Sequence, residues 1–270
     1  MLTAFAQCGC TTLKTLQMHK DKSRRYKEFK QDGEDATPER PDWLLDEMDS
    51  AGRENLDADH VTKYDRKEDA EATHEVNLLK KRGLTQQSLV VDMGAGTGQF
   101  TLAAASECDR VVAVDISPVM LDALRAKMDN SDLSNIDIVR SGFLTYRHRG
   151  RRADFVYSRY ALHHLPDFWK AVALRQIRNI LQPGGVFRLW DAVYHFEPTE
   201  AEDRLESWCS SVDSDGEDEW NRADIEEHIR EEHSTFTWLL EPMIERCNFS
   251  IEEAAYSPDG FFAKYIARAT

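Results

Sequence analysis

The feature that most restricts this chain is an apolar run that breaks into regularly spaced glycines. Residues 88–93 read SLVVDM, the pattern of a buried strand. GAGTG follows at residues 94–98, and a helical stretch begins near residue 100. Without Cβ atoms such a loop turns tightly and lets a ligand approach its backbone. The helix start adds free N–H donors and the positive end of its dipole. A strand, a glycine turn and a helix open a βαβ unit, and the texture repeats downstream. Residues 110–115 (RVVAVD) form a second strand, and Ser117-Pro118 gives an N-cap with proline at the first helical position. Met120, Ala123, Leu124 and Met128 then line one helical face. Strands are expected at 136–140, 153–158 and 186–192, with a helix over 167–181. Strands alternating with helices make a mostly parallel sheet in an α/β fold.

Three details narrow the ligand. The spacing is G-x-G-x-G, not the G-x-G-x-x-G of dinucleotide sites, and no Gly-Lys-Ser/Thr ending marks a P-loop. Asp92 stands two residues before the first glycine, where it would repel a pyrophosphate and attract a cation. The second strand ends in Asp115, placed for hydrogen bonds to a ribose diol. A ligand with a ribose, an amino-acid end and a positive sulfur meets these demands.

The runs VVDMGAGTGQF, VVAVDIS, ADFVYSRYALHHLPD and LQPGGVFRLWD together resemble the Rossmann-like (class I) S-adenosylmethionine-dependent methyltransferases of the small-molecule type, over residues 85–195. The resemblance implies a mostly parallel seven-stranded sheet with helices on both faces and an antiparallel last strand. It implies S-adenosyl-L-methionine as cofactor. Asp92, Gly94, Ala95, Gly96 and Gly98 would line its methionine part, Asp115 would bind the ribose, and Ile116 would pack on the adenine. Ser158 and Arg159 would sit near the reactive sulfur, and Tyr64 is a candidate to cover the cofactor. One departure stands out. Many relatives carry an acid after the third strand that contacts the adenine amino group; here the residues are Ser141-Gly142-Phe143-Leu144, and Phe143 is left to supply backbone contacts or stacking.

The acceptor side is less determined. A base is needed only if the acceptor must lose a proton. Arg159, Tyr160, His163 and His164 follow the fourth strand, so His163 or His164 is a candidate base, with Arg159 beside them. Trp190 and Asp191 either line an acceptor pocket or pack the strand end. The motifs of base-amine, 5-methylcytosine and arginine methylation are absent, and no catechol-type metal constellation is legible. A small-molecule acceptor at O, N, S or C remains. The alternatives are an RNA or protein methyltransferase, docking through the basic stretch 20–30, or a non-catalytic S-adenosylmethionine-binding protein.

Charge distribution bears on these choices. The net charge of -15 is concentrated in residues 32–59 (-9) and 197–232 (-12), whereas residues 60–196 carry only +3. A polyanion would be repelled by both acidic blocks, which disfavours nucleic acid. Five scattered cysteines oppose a disulfide framework. No run approaches the ~20 apolar residues of a membrane span, and the first residues lack a secretory pattern, so a cytoplasmic protein is expected. The expected organisation is a basic arm (1–36), a helical cap (37–84), the cofactor-binding core (85–196), an acidic helical insert (197–247) and a hairpin that completes the sheet (248–270). In the cap, Trp43, Leu44 and Met48 share one face of a short helix that is expected to bury the Trp. A second helix over 60–82 should end at Gly83. In the insert, Trp208, Trp220, Phe236 and Trp238 either wall an acceptor pocket or form a local core.

Overall fold

The computed structural model describes residues 41–52, 55, 61, 71–212 and 221–270. Tyr64, Trp220 and the basic arm lie outside the described residues. The elements run α1 (Ala72–Lys81), β1 (Leu89–Met93), α2 (Gln99–Ala105), β2 (Arg110–Asp115), α3 (Pro118–Asp129), β3 (Ile136–Arg140), β4 (Ala153–Arg159), α4 (Asp167–Ile180), β5 (Leu181–Tyr194), α5 (Ala201–Ser210), α6 (Arg222–Glu231), β6 (Thr235–Phe236), α7 (Thr237–Arg246), β7 (Phe249–Tyr256) and β8 (Phe262–Ala269).

One sheet joins the strands in the order β3-β2-β1-β4-β5-β8-β7, with β6 beside the end of β5. The first five are mutually parallel, and β8 inserts antiparallel to both β5 and β7. The expected seven strands are therefore present, and the two-residue β6 makes an eighth. Alternate residues of the central strands feed two cores, because successive side chains point to opposite faces. Val91 and Met93 pack on one side with Leu174, Ile177 and Ile244, whereas Val90 packs on the other with Leu79, Leu121 and Leu124.

α1 stops where the glycine predicts. Gly83 has φ +103°, its N–H donates to the Lys80 carbonyl at 3.1 Å, and the Leu84 N–H donates to the Leu79 carbonyl at 3.0 Å. This is a Schellman ending. One feature of α1 had no signal in the pattern. Glu75, fully buried, receives two hydrogen bonds from Arg188 on β5, at 2.7 and 2.8 Å.

Two expectations are corrected. Residues 41–50 form successive turns rather than a helix, and the Asp46 carboxylate accepts the Met48 N–H at 3.1 Å, a local bond that competes with helical pairing. Trp43 is 74% exposed, in parallel contact with Trp169 at 6.4 Å, while Leu44 and Leu45 make the packing contact with the core. In the acidic insert, Trp208 stacks on Phe261 and Phe236 meets Tyr194 and Phe196 edge-on, so these aromatics form a satellite core. Trp238 is half exposed and stacks on Phe236.

Candidate functional site

The carboxyl ends of β1, β2, β3 and β4 converge around the glycine turn. Gly94 (φ +75°) and Gly98 (φ +82°) occupy left-handed conformations. A Cβ on Gly94 would lie 2.3 Å from the Ala161 Cβ, and one on Gly98 would lie 2.1 Å from Leu124 Cδ1. No side chain fits at either position. The N–H groups of Gly94 and Ala95 both donate to the Val114 carbonyl, which pins the turn to β2.

Two hollows meet at this turn. The larger, about 670 Å³, is bordered by Glu47, Asn55, Met93, Gly94, Gly96, Asp115, Ile116, Met120, Phe143, Arg159, Tyr160 and His164. The smaller, about 410 Å³, is bordered by Asp92, Gly94, Ala95, Gly96, Thr97, Gln99, Tyr157 and Arg159. Each carries one of the two carboxylates singled out in the sequence. Asp92 is buried, and burial is the main cause that raises its pKa to about 7; a hydrogen bond from Thr101 (2.6 Å) opposes the shift, and the charge of Asp115 adds to it. Asp115 is also raised by burial, while N–H groups of Ser117 and Gly96 donate to its two oxygens at 2.8 Å each and pull the other way. Asp115 thus braces the glycine turn. A carboxylate offers about four acceptor sites, so capacity for a diol remains.

The wall after β3 resolves the departure noted in the sequence. Glu47, from the turns at 41–50, reaches the Ser141–Leu144 segment and accepts the Leu144 N–H (3.1 Å) and the Thr145 hydroxyl (3.3 Å). Gly142 permits this, because a Cβ there would lie 2.4 Å from the Glu47 carboxylate. An acid therefore stands beside Phe143 after all, brought from about a hundred residues upstream. No local pattern could have signalled it.

Arg159 borders both hollows, its guanidinium 4.1 Å above the Trp190 ring and 5.0 Å from Tyr160. Ser158 is fully buried in β4 and does not border either hollow. Gly98 likewise sits behind the turn, against Leu124.

The two histidines separate. His163 is buried away from the hollows, with Nδ1 bonded to Asp191 Oδ1 and Nε2 2.8 Å from Glu232 Oε2. Burial alone would lower its pKa, but the charge and hydrogen bond of Asp191, followed by Glu232, outweigh it and raise the group to about 10. An imidazolium held between two carboxylates has no free base to offer. His164 borders the larger hollow, with Nε2 3.3 Å from Asn55 Nδ2. Burial and the neighbouring His163 charge lower it to about 3, so it is neutral. Asp191 organises this turn, accepting the N–H groups of Leu162 (2.9 Å) and His163 (3.2 Å). Glu232 follows α6, which brings the acidic insert to the same place. Burial would raise its pKa, but its contacts with His163 and His228 hold it well below the usual carboxylate range.

Comparison with known proteins agrees with this architecture. Residues 90–185 match the family model of the methyltransferase domain. An uncharacterized methyltransferase of Oceanobacillus iheyensis is 29% identical over 143 residues, 53% of this chain and 64% of that protein. The trans-aconitate 2-methyltransferase of Methylobacterium radiotolerans is 30% identical over 138 residues, half of each chain. The chain thus spans about half to two-thirds of the length of the curated relatives it matches. Among solved structures, an S-adenosylmethionine-dependent methyltransferase from Aquifex aeolicus superposes with a TM-score of 0.57 at 15% identity, covering 80% of this chain and all of that one. An N-methyltransferase of Bradyrhizobium japonicum, solved with S-adenosylhomocysteine, gives 0.55 at 16% identity over 83% of this chain and 99% of that one. At such identities the superpositions speak for the fold. A mostly parallel sheet with an antiparallel β8, opening at a glycine turn between two carboxylates, is the class I methyltransferase architecture. Residues 90–185 are thus a methyltransferase domain of this Rossmann-like, S-adenosylmethionine-dependent type. Among the described residues, no helix is long and apolar enough to cross a membrane.

Proposed function

We propose that the chain methylates a small molecule, with the cofactor lying across the glycine turn and the acceptor in the remainder of the larger hollow. The observation that carries this reading is the meeting of two hollows at Gly94 and Gly96, each with its own buried carboxylate. When bound, S-adenosylmethionine supplies a methyl group on a positively charged sulfur that leaves neutral. Asp92 borders the smaller hollow and would hold the cofactor's ammonium there. Asp115 would accept from the ribose hydroxyls, Ile116 and Met120 would flank the adenine, and Glu47 beside Phe143 would accept from its amino group.

Displacement from a sulfonium requires alignment above all, and the chain's task is to hold the acceptor in line. Arg159, Tyr160 and His164 border the larger hollow, which cofactor and acceptor would share. A neutral His164 accepts a hydrogen bond and orients the acceptor rather than removing its proton. Arg159 attracts an anionic or polarised group. Two things favour a small acceptor: the acidic blocks at 32–59 and 197–232 oppose polyanions, and relatives named for trans-aconitate and demethylmenaquinone act on small molecules.

Calorimetric titration with S-adenosylmethionine, S-adenosylhomocysteine and NADH is the direct test. Micromolar binding of the first two and none of the third is expected, followed by methyl transfer in a screen of small carboxylates, phenols and amines. Binding without turnover on any acceptor would favour the non-catalytic reading, and salt-sensitive binding of RNA would favour the polyanion reading.

A further inference from the structure

The turn after β4 and the segment after α6 bring together a group of side chains of which methyl transfer, as proposed above, uses only His164. His163, His164 and Glu232 place one donor atom each within 4.8 Å of one another. We propose that these three residues bind a divalent transition metal ion of the zinc class at the edge of the larger hollow, the ion displacing the proton from His163 Nε2 to solvent.

Four observations support this. First, two imidazoles and one carboxylate, with a fourth position open, form a donor set suited to Zn²⁺. A tetrahedral ion with bonds of about 2.1 Å holds its donors about 3.4 Å apart, so small ring rotations close the set. Second, Glu232 Oε2 lies 2.8 Å from His163 Nε2 and 2.5 Å from His228 Nδ1, so a carboxylate oxygen and imidazole nitrogens already converge on one point. Third, His164 Nδ1 is buried and has no hydrogen-bond partner among the described residues. An ion would satisfy it.

Fourth, a supporting shell is in place. Ligating histidines usually give their other ring nitrogen to a carboxylate, and ligating carboxylates are themselves held by neighbours. Asp191 takes Nδ1 of His163 and so aims Nε2 at Glu232. His228 lies against the Glu232 oxygen, and its own Nε2 is 3.2 Å from the Ser234 hydroxyl. Asp191 and Glu232 together balance the charge of a dication. His164 borders the larger hollow, so the ion would lie close to the space assigned to the acceptor. The ion would either polarise that acceptor or fix the acidic insert against the core. Binding of the ion does not depend on the methyltransfer reading and is measured without cofactor or acceptor.

The test uses the full chain, stripped with chelator and dialysed against Zn²⁺ or Co²⁺. One ion per chain by elemental analysis is expected, with the visible ligand-field bands of four-coordinate Co²⁺. Both should be lost in His164→Ala, whose half-buried ring can be removed with little cost to the core, and in Glu232→Gln. Asp191→Asn should weaken binding by about 10- to 100-fold, the usual cost of a lost supporting contact. His233→Ala, outside the donor set, should retain the ion, and circular dichroism checks that each variant folds. No bound ion in the parent, or equal binding in His164→Ala, would overturn the proposal and leave the cluster as a protonated ion-pair network.

Discussion

Gly94→Ala tests the central turn most directly. The substitution has two separable costs. At φ +75° an alanine carries the penalty of a left-handed L-residue, about 1–2 kcal/mol. Its Cβ also lands 2.3 Å from the Ala161 Cβ, well inside contact, and overpacking of this kind costs about 1–3 kcal/mol. Together they predict a loss of about 2–5 kcal/mol, read by urea unfolding. Ala161 begins the turn that carries Leu162, His163 and His164, so any relief by movement displaces the wall of the hollow, and cofactor affinity should fall with stability. The two costs are separated by a second variant. In Gly94→Ala/Ala161→Gly the overlap is gone and the backbone penalty stays, so about 1–3 kcal/mol should return as a favourable coupling in a double-mutant cycle. A single variant within ~0.5 kcal/mol of the parent, or a cycle with no coupling, would refute the reasoning.

Three further outcomes follow from the site and its support. Asp92 must be ionised to hold a cationic ligand, and its pKa in the free protein is about 7. Cofactor affinity should therefore rise by up to about tenfold per pH unit below 7 and flatten above it. Thr101→Val, which removes the opposing hydrogen bond, should move the bend upward; a flat calorimetric profile from pH 5 to 8 would count against the assignment. Asp115→Ala removes the acceptor for the Gly96 and Ser117 N–H groups as well as the ribose contact, and should weaken cofactor binding by roughly 1–3 kcal/mol, about 5- to 150-fold. Unchanged affinity would move the ribose elsewhere. Glu75→Ala leaves Arg188 buried without its partner and should cost about 3–5 kcal/mol in unfolding experiments, while replacing both residues with Met or Leu should be far milder. Equal losses in the single and double variants would show that packing, not charge, dominates there.

What the sequence revealed and what it concealed divide along the range of the interactions. The glycine turn, β1, β2, the Ser117 cap and the closing hairpin rest on neighbouring residues, and all were legible. Asp92, Asp115, Ile116, Arg159 and His164 border the hollows as their places at strand ends suggest. The misreadings involve partners distant in the chain. His163 and His164 are adjacent in sequence, and only Asp191 and Glu232, folded in from β5 and the acidic insert, make one a buried cation and leave the other neutral. Glu47 reads as one acid among many in an acidic block; only Gly142, with no side chain in the way, gives it a role. Trp43 was expected to be buried because of its size, but Pro41 and Asp46 favour turns, and the turns direct Leu44 and Leu45 inward instead. Such placements depend on tertiary contacts, which local periodicity does not encode.

β5 is the longest strand among the described residues, at 14 residues, and its second edge is filled by β8. During synthesis that edge has to wait, because the 67 residues from 195 to 261 separate the two strands. At roughly 5–20 residues per second the delay is about 3–13 s. Throughout it, an apolar strand with unpaired backbone groups is available to any other strand nearby. The stretch that emerges in the interval is the most acidic of the chain, with a net charge of -12 over residues 197–232. Like charges on neighbouring chains repel, a pattern that disfavours pairing between open edges of two copies.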